Sequence, residues 1–407
     1  MSLVAVLESR RARVGTVVLW AISVTILLFG ALHKTHRPNG NDFTMYLQVT
    51  DALFAGKNPY SMTGAMHYMY PLFLAAVLGP LATVPRDVAT TVWFLTSIVS
   101  LVGAARVVVG LARASGVIRA DVPTIVPLVA LWFLLWDPIQ NDLLNGQVNF
   151  PILLLCVLSL GACLERRTLG SAVPLAAAIA VKLNPALLLG FLAVRRRWTA
   201  IVLCLGLTVA LVLAPLILIG QGLAPYGNYV QSVLLVRVHG EYPIHQGVSF
   251  SVNGVLEKIA PDWGRALWRR ALGGSLPLVG LAVVEIVSRR RRPPGWEIWV
   301  FCLYQIAVLL VTPISEVHHL VYAFPALGLL LLASVLGELA TRGPRRLGGT
   351  LACCLLFFGG WVARGGPWFF LALCLLAGLV AAEAVARPGV GHAEARTSDQ
   401  RSRAGGR

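Results

Sequence analysis

Long apolar runs, separated by short polar turns, set the pattern of this chain. They lie near 14–32, 88–112, 122–136, 148–164, 170–194, 199–220, 268–288, 297–313, 319–337, 348–362 and 367–386. A helix rising about 1.5 Å per residue needs roughly 20 apolar residues to cross a bilayer, so these runs predict a helical membrane bundle. The run 170–194 carries Lys182-Leu183-Asn184-Pro185 in its middle. Pro185 ends a helix and restricts the residue before it, so this run is expected to rise, break and return. Tyr70–Val84 is also apolar, but Pro71, Pro80 and Pro85 punctuate it. It is expected to lie on the outer surface, within one external loop over 33–86. A second large external loop covers 221–267. The expectation is an all-α polytopic membrane protein of about twelve helices, including one broken pair and surface helices in the first loop. Residues 1–386 read as a single domain, 387–407 as a disordered, basic cytoplasmic tail.

Composition supports this reading. The chain is 57% hydrophobic and 13% charged, with mean hydropathy +0.75, more apolar surface than a soluble protein of this length needs to bury. The net charge of +16 raises the question of nucleic acid. However, the basic residues fall in clusters between apolar runs: Arg195-Arg196-Arg197, Arg289-Arg290-Arg291-Arg292, and Arg342 with Arg345-Arg346. That is the positive-inside pattern, with the arginines read as cytoplasmic anchors against anionic lipid heads, and it excludes nucleic acid as a partner. It places Asp42, Asn145 and His318 outside. The first span, long and without a small-residue cleavage site, is read as an uncleaved signal-anchor. The seven cysteines lie in apolar segments with neither CxxC nor zinc spacing, so they are read as small hydrophobes.

Four polar groupings interrupt the apolar pattern. Asp42 opens the segment after the first span, and Tyr46, Asn58 and Tyr60 follow in the same loop. A carboxylate at the water-facing mouth of a bundle is placed to take a proton from a hydroxyl. Asp ahead of Phe43-Thr44-Met45-Tyr46 suits a helix N-cap equally well. Asn145-Gly146-Gln147-Val148-Asn149 caps a span at the outer face. Lys182 sits mid-hydrophobic, where an ammonium is expensive and usually functional. Ser315-Glu316-Val317-His318-His319 joins two spans outside, and Arg237, His239 and His245 stand in the second loop. Cations converging beside one lone acid suit a hydroxyl nucleophile and a phosphate leaving group. No two-carboxylate ligand set is apparent, so neither metal nor other cofactor is expected.

These residues also carry a resemblance. Asp42-Phe43…Tyr46, Gly56-Lys57-Asn58-Pro59-Tyr60, Tyr70-Pro71-Leu72, Gly146-Gln147-Val148-Asn149, Lys182-Leu183-Asn184-Pro185, Ser249–Leu256 with Asn253-Gly254, and Ser315–Leu320 stand in order and spacing. Together they resemble the polyprenyl-phosphate-mannose-dependent α-1,2-mannosyltransferases of actinobacteria, in glycosyltransferase family 87. The resemblance implies a GT-C bundle in the bacterial plasma membrane, with its site on the periplasmic side and Asp42 as its acid. It implies mannosyl transfer from a polyprenyl phosphate to a glycolipid or lipoglycan acceptor. Lys182, His318, His319 and Arg237 would then face the donor phosphate, with Tyr46, Asn58, Tyr60, Asn149 and Asn253 on sugar hydroxyls. One base with in-line displacement gives inversion. Arabinofuranose is an alternative to mannose. Two other classes stay open: a flippase or transporter of an anionic lipid, which usually shows internal repeats that this chain lacks, and a non-catalytic assembly subunit, in which Asp42 would be replaceable.

Overall fold

The computed structural model describes residues 10–37, 40–61, 68–118, 132, 135–235, 249–259, 267–312, 315–335, 344–363 and 366–386. Within them the regular structure is helical throughout. Every expected apolar run coincides with a helix or helix pair except 122–136, nearly all of which lies outside the described residues, as do Arg342 and the tail 387–407. Five helices are long and apolar enough to cross a membrane: Val14–Thr35, Arg86–Ala114, Trp198–Ile219, Val317–Ser334 and Trp368–Val385. A bent pair, Trp136–Asn145 with Asn149–Leu164, brings the number up to six, and Thr168–Val181 and Trp296–Val311 are shorter apolar helices. The protein is a multi-pass membrane protein, with several of its spans shorter than the sequence pattern alone suggests.

The run 170–194 does break where Pro185 demands. Helix Thr168–Val181 ends at Lys182, whose backbone is extended (φ −150°, ψ 129°). A 3₁₀ turn, Asn184–Leu187, then leads into helix Leu188–Val194. Tyr70–Val84 forms two short helices, Leu72–Val77 and Gly79–Ala82, as its prolines predict. Where an external loop is expected after 136, the chain instead forms helix Trp136–Asn145. The turn Gly146-Gln147-Val148 bends it by 112° against Asn149–Leu164.

In lipid, burying apolar side chains between helices gains little, so close approach must do the holding. Ala172, Ala176 and Ala180, four residues apart on Thr168–Val181, are fully buried. This flat stripe lets Asn149–Leu164 and Trp198–Leu213 pack on that helix. Arg166 and Arg167, just past Asn149–Leu164, lie about one helix length from the bend, roughly 24 Å for 16 residues, and Arg197 reaches the same end through Cys163 O. Exposed Arg166, Arg196 and Arg292 follow helix ends there with φ of 59°, 55° and 46°. The left-handed region costs such residues about 1–2 kcal/mol, but their charge complements the helix C-terminal dipole. Arg195 departs from the lipid-anchor reading. Its guanidinium is 7% exposed, within 3.4 Å of Glu285 and 3.3 Å of Glu297, and stacked 3.4 Å over Phe191. It ties helices together inside the bundle.

Gly146 caps helix Trp136–Asn145 at φ 63°, and a Cβ there would meet Phe43 Cβ at 2.5 Å. Gly146→Ala is therefore expected to lower the melting temperature in detergent, by ~1–2 kcal/mol from backbone strain alone. Gly110→Ala, in a helix interior with nothing within 4 Å, should leave it unchanged or raise it.

Candidate functional site

The bend collects the site. Gly146 O accepts a hydrogen bond from Trp93 Nε1 at 2.8 Å, and the Trp93 ring stacks on Phe43 at 5.6 Å between centroids. This joins the spanning helix Arg86–Ala114, the bend and helix Asp42–Phe54. The N-cap of that last helix is Asn41: its side chain accepts the Thr44 N–H at 3.0 Å and donates to Leu144 O at 3.0 Å. The capping role is thus filled by the residue before Asp42, which leaves the Asp42 carboxylate in the first turn, where the helix dipole favours an anion.

Asp42 is partly open to solvent. Gln147 Nε2 donates to its Oδ2, while Gln147 Oε1 lies 3.2 Å from the hydroxyls of both Tyr46 and Tyr70. Two phenols donating to the carbonyl oxygen leave the amide nitrogen to face the acid. Burial, with a smaller contribution from the negative charge of Glu316, pushes the Asp42 carboxyl up to about 6. Lys34, the Gln147 hydrogen bond and Lys182 offset part of that rise.

Two residues beyond Gln147, Asn149 uses its whole carboxamide. Its Oδ1 accepts from Lys182 Nζ at 2.9 Å and Tyr322 OH at 3.2 Å. Its Nδ2 donates to Asp142 Oδ2 at 2.8 Å and His318 O at 3.4 Å. Lys182 Nζ also lies 2.8 Å from His319 Nε2. His319 Nδ1 accepts the Glu316 N–H at 3.0 Å, so in the neutral ring Nε2 carries the proton. Lys182 brings the positive charge that suits an anion, with the His319 ring directly against it. The His318 ring packs edge-on against His319 at 4.3 Å and turns Nδ1 toward Glu316 at 3.6 Å.

The structure brings together Asp42, Tyr46, Asn149, Lys182, His318 and His319. Tyr46 and Asn149 are fully buried, with their polar atoms engaged by other site residues. Asn58 Oδ1 is occupied by the Tyr60 N–H at 3.1 Å, a local turn. Tyr60 OH donates to Tyr70 O at 2.8 Å, and its ring joins Tyr68, Tyr226 and Tyr229 in a clasp between the two loops. Asn253 Oδ1 lies against Gly273 of helix Leu267–Arg291. Arg237, His239 and His245 fall outside the described residues. Sequence reasoning missed Asp142, the grip of Gln147 on Asp42, and Lys34, which donates to Asn145 Oδ1. Asp42 is also not a lone acid, since Asp142 and Glu316 share its surroundings. Asp142 stood in what reads as an external loop, and only the fold of the bend encloses it.

Gln147→Glu is expected to set two carboxylates in contact. They will share a proton, so the loss of melting temperature relative to the natural protein should be largest near pH 8 and shrink toward pH 5. A loss that does not vary with pH would remove the direct contact.

Comparison with known proteins bears on this geometry. The glycosyltransferase family 87 profile matches residues 68–313, more than half of the chain; Asp42 precedes the matched stretch and the histidine pair follows it. A polyprenol-phosphate-mannose-dependent alpha-(1-2)-phosphatidylinositol pentamannoside mannosyltransferase of Mycobacterium tuberculosis is 26% identical over 264 residues, covering 63% of this chain and 57% of that protein. The chain thus spans little more than half the length of that relative. The like-named protein of Mycolicibacterium smegmatis is 27% identical over 346 residues, covering 81% and 77%. Among solved structures, ArnT of Cupriavidus metallidurans, crystallised with undecaprenyl phosphate, is similar with a TM-score of 0.40 and 16% identity, covering 93% of this chain and 79% of that one. The family match settles the class of the chain: it belongs to glycosyltransferase family 87.

Proposed function

We propose that this protein is a membrane mannosyltransferase of the GT-C type. It moves a mannosyl unit from a polyprenyl phosphate to a glycolipid or lipoglycan hydroxyl in an α-1,2 linkage. The observation that carries this reading is a partly open carboxylate, Asp42, held by Gln147 and within electrostatic reach of Lys182, which lies against His319. The mycobacterial relatives, named for a polyprenol-phosphate-mannose donor and an alpha-(1-2) linkage, support the choice of both.

In this reaction Asp42 takes the proton of the acceptor hydroxyl, whose oxygen attacks the anomeric carbon. The bond from that carbon to the phosphate oxygen breaks, and its electron pair leaves on the phosphate. Lys182 and His319 balance the charge that develops there. One base and one displacement invert the anomeric centre, so an α product requires a β-linked donor. The monophosphate leaving group needs less charge compensation than a nucleotide diphosphate, and the Lys182 ammonium beside His319 meets that need. The donor's polyprenyl tail would lie between helices. The bend would face the periplasm, with the arginine end on the cytoplasmic side.

Purified protein with polyprenyl-phosphate mannose should transfer mannose in the presence of EDTA and should not use GDP-mannose. Transfer from GDP-mannose would overturn the donor assignment, and preference for a polyprenyl-phosphate arabinose would replace the sugar. Asp42→Asn, of equal size but unable to accept a proton, should lower turnover by ~10²–10⁴. Activity above a tenth of the natural protein's would sink the base assignment.

The pH profile gives a second check. A base must be ionised, so kcat/KM should climb with pH through about 6 and level off above. Glu316→Gln removes a like charge and should move that limb to lower pH. Lys34→Gln removes an opposite charge and should move it higher. Two variants shifting in the same direction would separate the limb from Asp42.

A further inference from the structure

At the bend, the transfer scheme leaves an enclosed acid without a task. Asp142 is fully buried on helix Trp136–Asn145. Its Oδ2 takes the Asn149 amide at 2.8 Å, and its Oδ1, also buried, has no hydrogen-bond partner among the described residues. An ionised carboxylate so placed is costly unless an opposite charge stands close. That charge is Lys182, held 2.9 Å from the other end of the same amide.

The orientation of Asn149 follows from this arrangement. A carboxamide is nearly symmetric in shape, so its partners decide which way it points. A carboxylate only accepts, so Asp142 draws Nδ2 toward itself, and Oδ1 then faces Lys182 Nζ and Tyr322 OH. Turned over, the amide would set its NH₂ against an ammonium and its oxygen against a carboxylate and the His318 carbonyl. His319 cannot replace this support, because its Nε2 faces Lys182 as a donor when Nδ1 accepts from Glu316. Asp42 and Asp142 both act electrostatically with Lys182. However, Asp42 becomes neutral once it has taken the acceptor's proton, just as negative charge grows on the phosphate. Asp142 stays at the far end of the Asn149 amide and continues to hold Lys182 in place.

We propose that Asp142 is a positioning residue of the transfer reaction: through Asn149 it fixes the Lys182 ammonium behind the departing phosphate, touching neither sugar nor phosphate itself. This rests on the transferase reading above.

The test uses the full-length protein with polyprenyl-phosphate mannose, comparing Asp142→Asn, Lys182→Ala, their double variant, and the exchange Asp142→Asn with Asn149→Asp. Asp142→Asn should lower kcat/KM for the donor at least about tenfold. In the Lys182→Ala background it should cost little more, because the group it positions is already gone. The exchange puts a carboxylate directly on Lys182 with an amide behind it, and should restore donor use to within about threefold of the natural protein. The proposal is overturned if Asp142→Asn keeps donor use within about threefold, or if its loss adds in full to that of Lys182→Ala. It is equally overturned if the exchange variant folds, judged by its melting temperature, and does not recover. A natural protein that transfers from no lipid-phosphate sugar would instead remove the transferase reading, which separates the two failures.

Discussion

The 112° bend at Gly146-Gln147-Val148 is the constraint on which the rest of the structure depends. It needs a left-handed residue without a Cβ, because Phe43 sits where a side chain would go. In return the turn places two carboxamides, Gln147 and Asn149, two residues apart at the junction of four packed elements. Each amide bridges groups that would otherwise meet badly: Gln147 stands between two phenols and a carboxylate, and Asn149 between an ammonium and a buried acid. A neutral group with both donor and acceptor ends can order charges in a low-dielectric interior without adding a charge of its own.

Charge is sorted along the bundle. The bend end collects Asp42, Asp142, Glu316, Lys34, Lys182 and the histidine pair. The other end carries arginines after helix C-termini, three of them in left-handed backbone that glycine would occupy more cheaply. Arg195 shows that even this end is not merely a lipid-facing fringe, since its ion pair with Glu285 is internal. A charged residue at the margin of a membrane bundle thus serves either topology or packing, and only its partners distinguish the two.

Among the described residues, four tyrosines fasten the loops above the bend by aromatic contacts. Tyr60 meets Tyr229 at 5.0 Å, and their neighbours Tyr68 and Tyr226 close the clasp. Tyrosine fits this margin because its ring packs while its hydroxyl finds backbone acceptors, as Tyr60 does on Tyr70 O and Tyr226 on Val212 O. The same loops carry Tyr46 and Tyr70 to Gln147, so the clasp and the acid are mechanically connected.

The apolar runs determined the class and the helices, because lipid requires every backbone group to be paired within its own segment. Pro185 determined the break beside Lys182, and the prolines of Tyr70–Val84 the surface helices, since proline acts locally through its ring and missing N–H. The sequence also flagged Asp42, Lys182 and the His318-His319 pair, because charge in an apolar chain is conspicuous. The tertiary structure alone decided that Asn41, not Asp42, caps its helix, which depends on one side-chain rotamer. It alone made Trp136–Asn145 a helix, half of a bent pair, and so enclosed Asp142. It also engaged Asn58 and Tyr60 in the loop's own contacts, and Tyr46 and Asn149 in contacts with other site residues. Those decisions follow from contacts between residues as far as 173 positions apart, such as Tyr322 with Asn149, and nothing in local spacing encodes them.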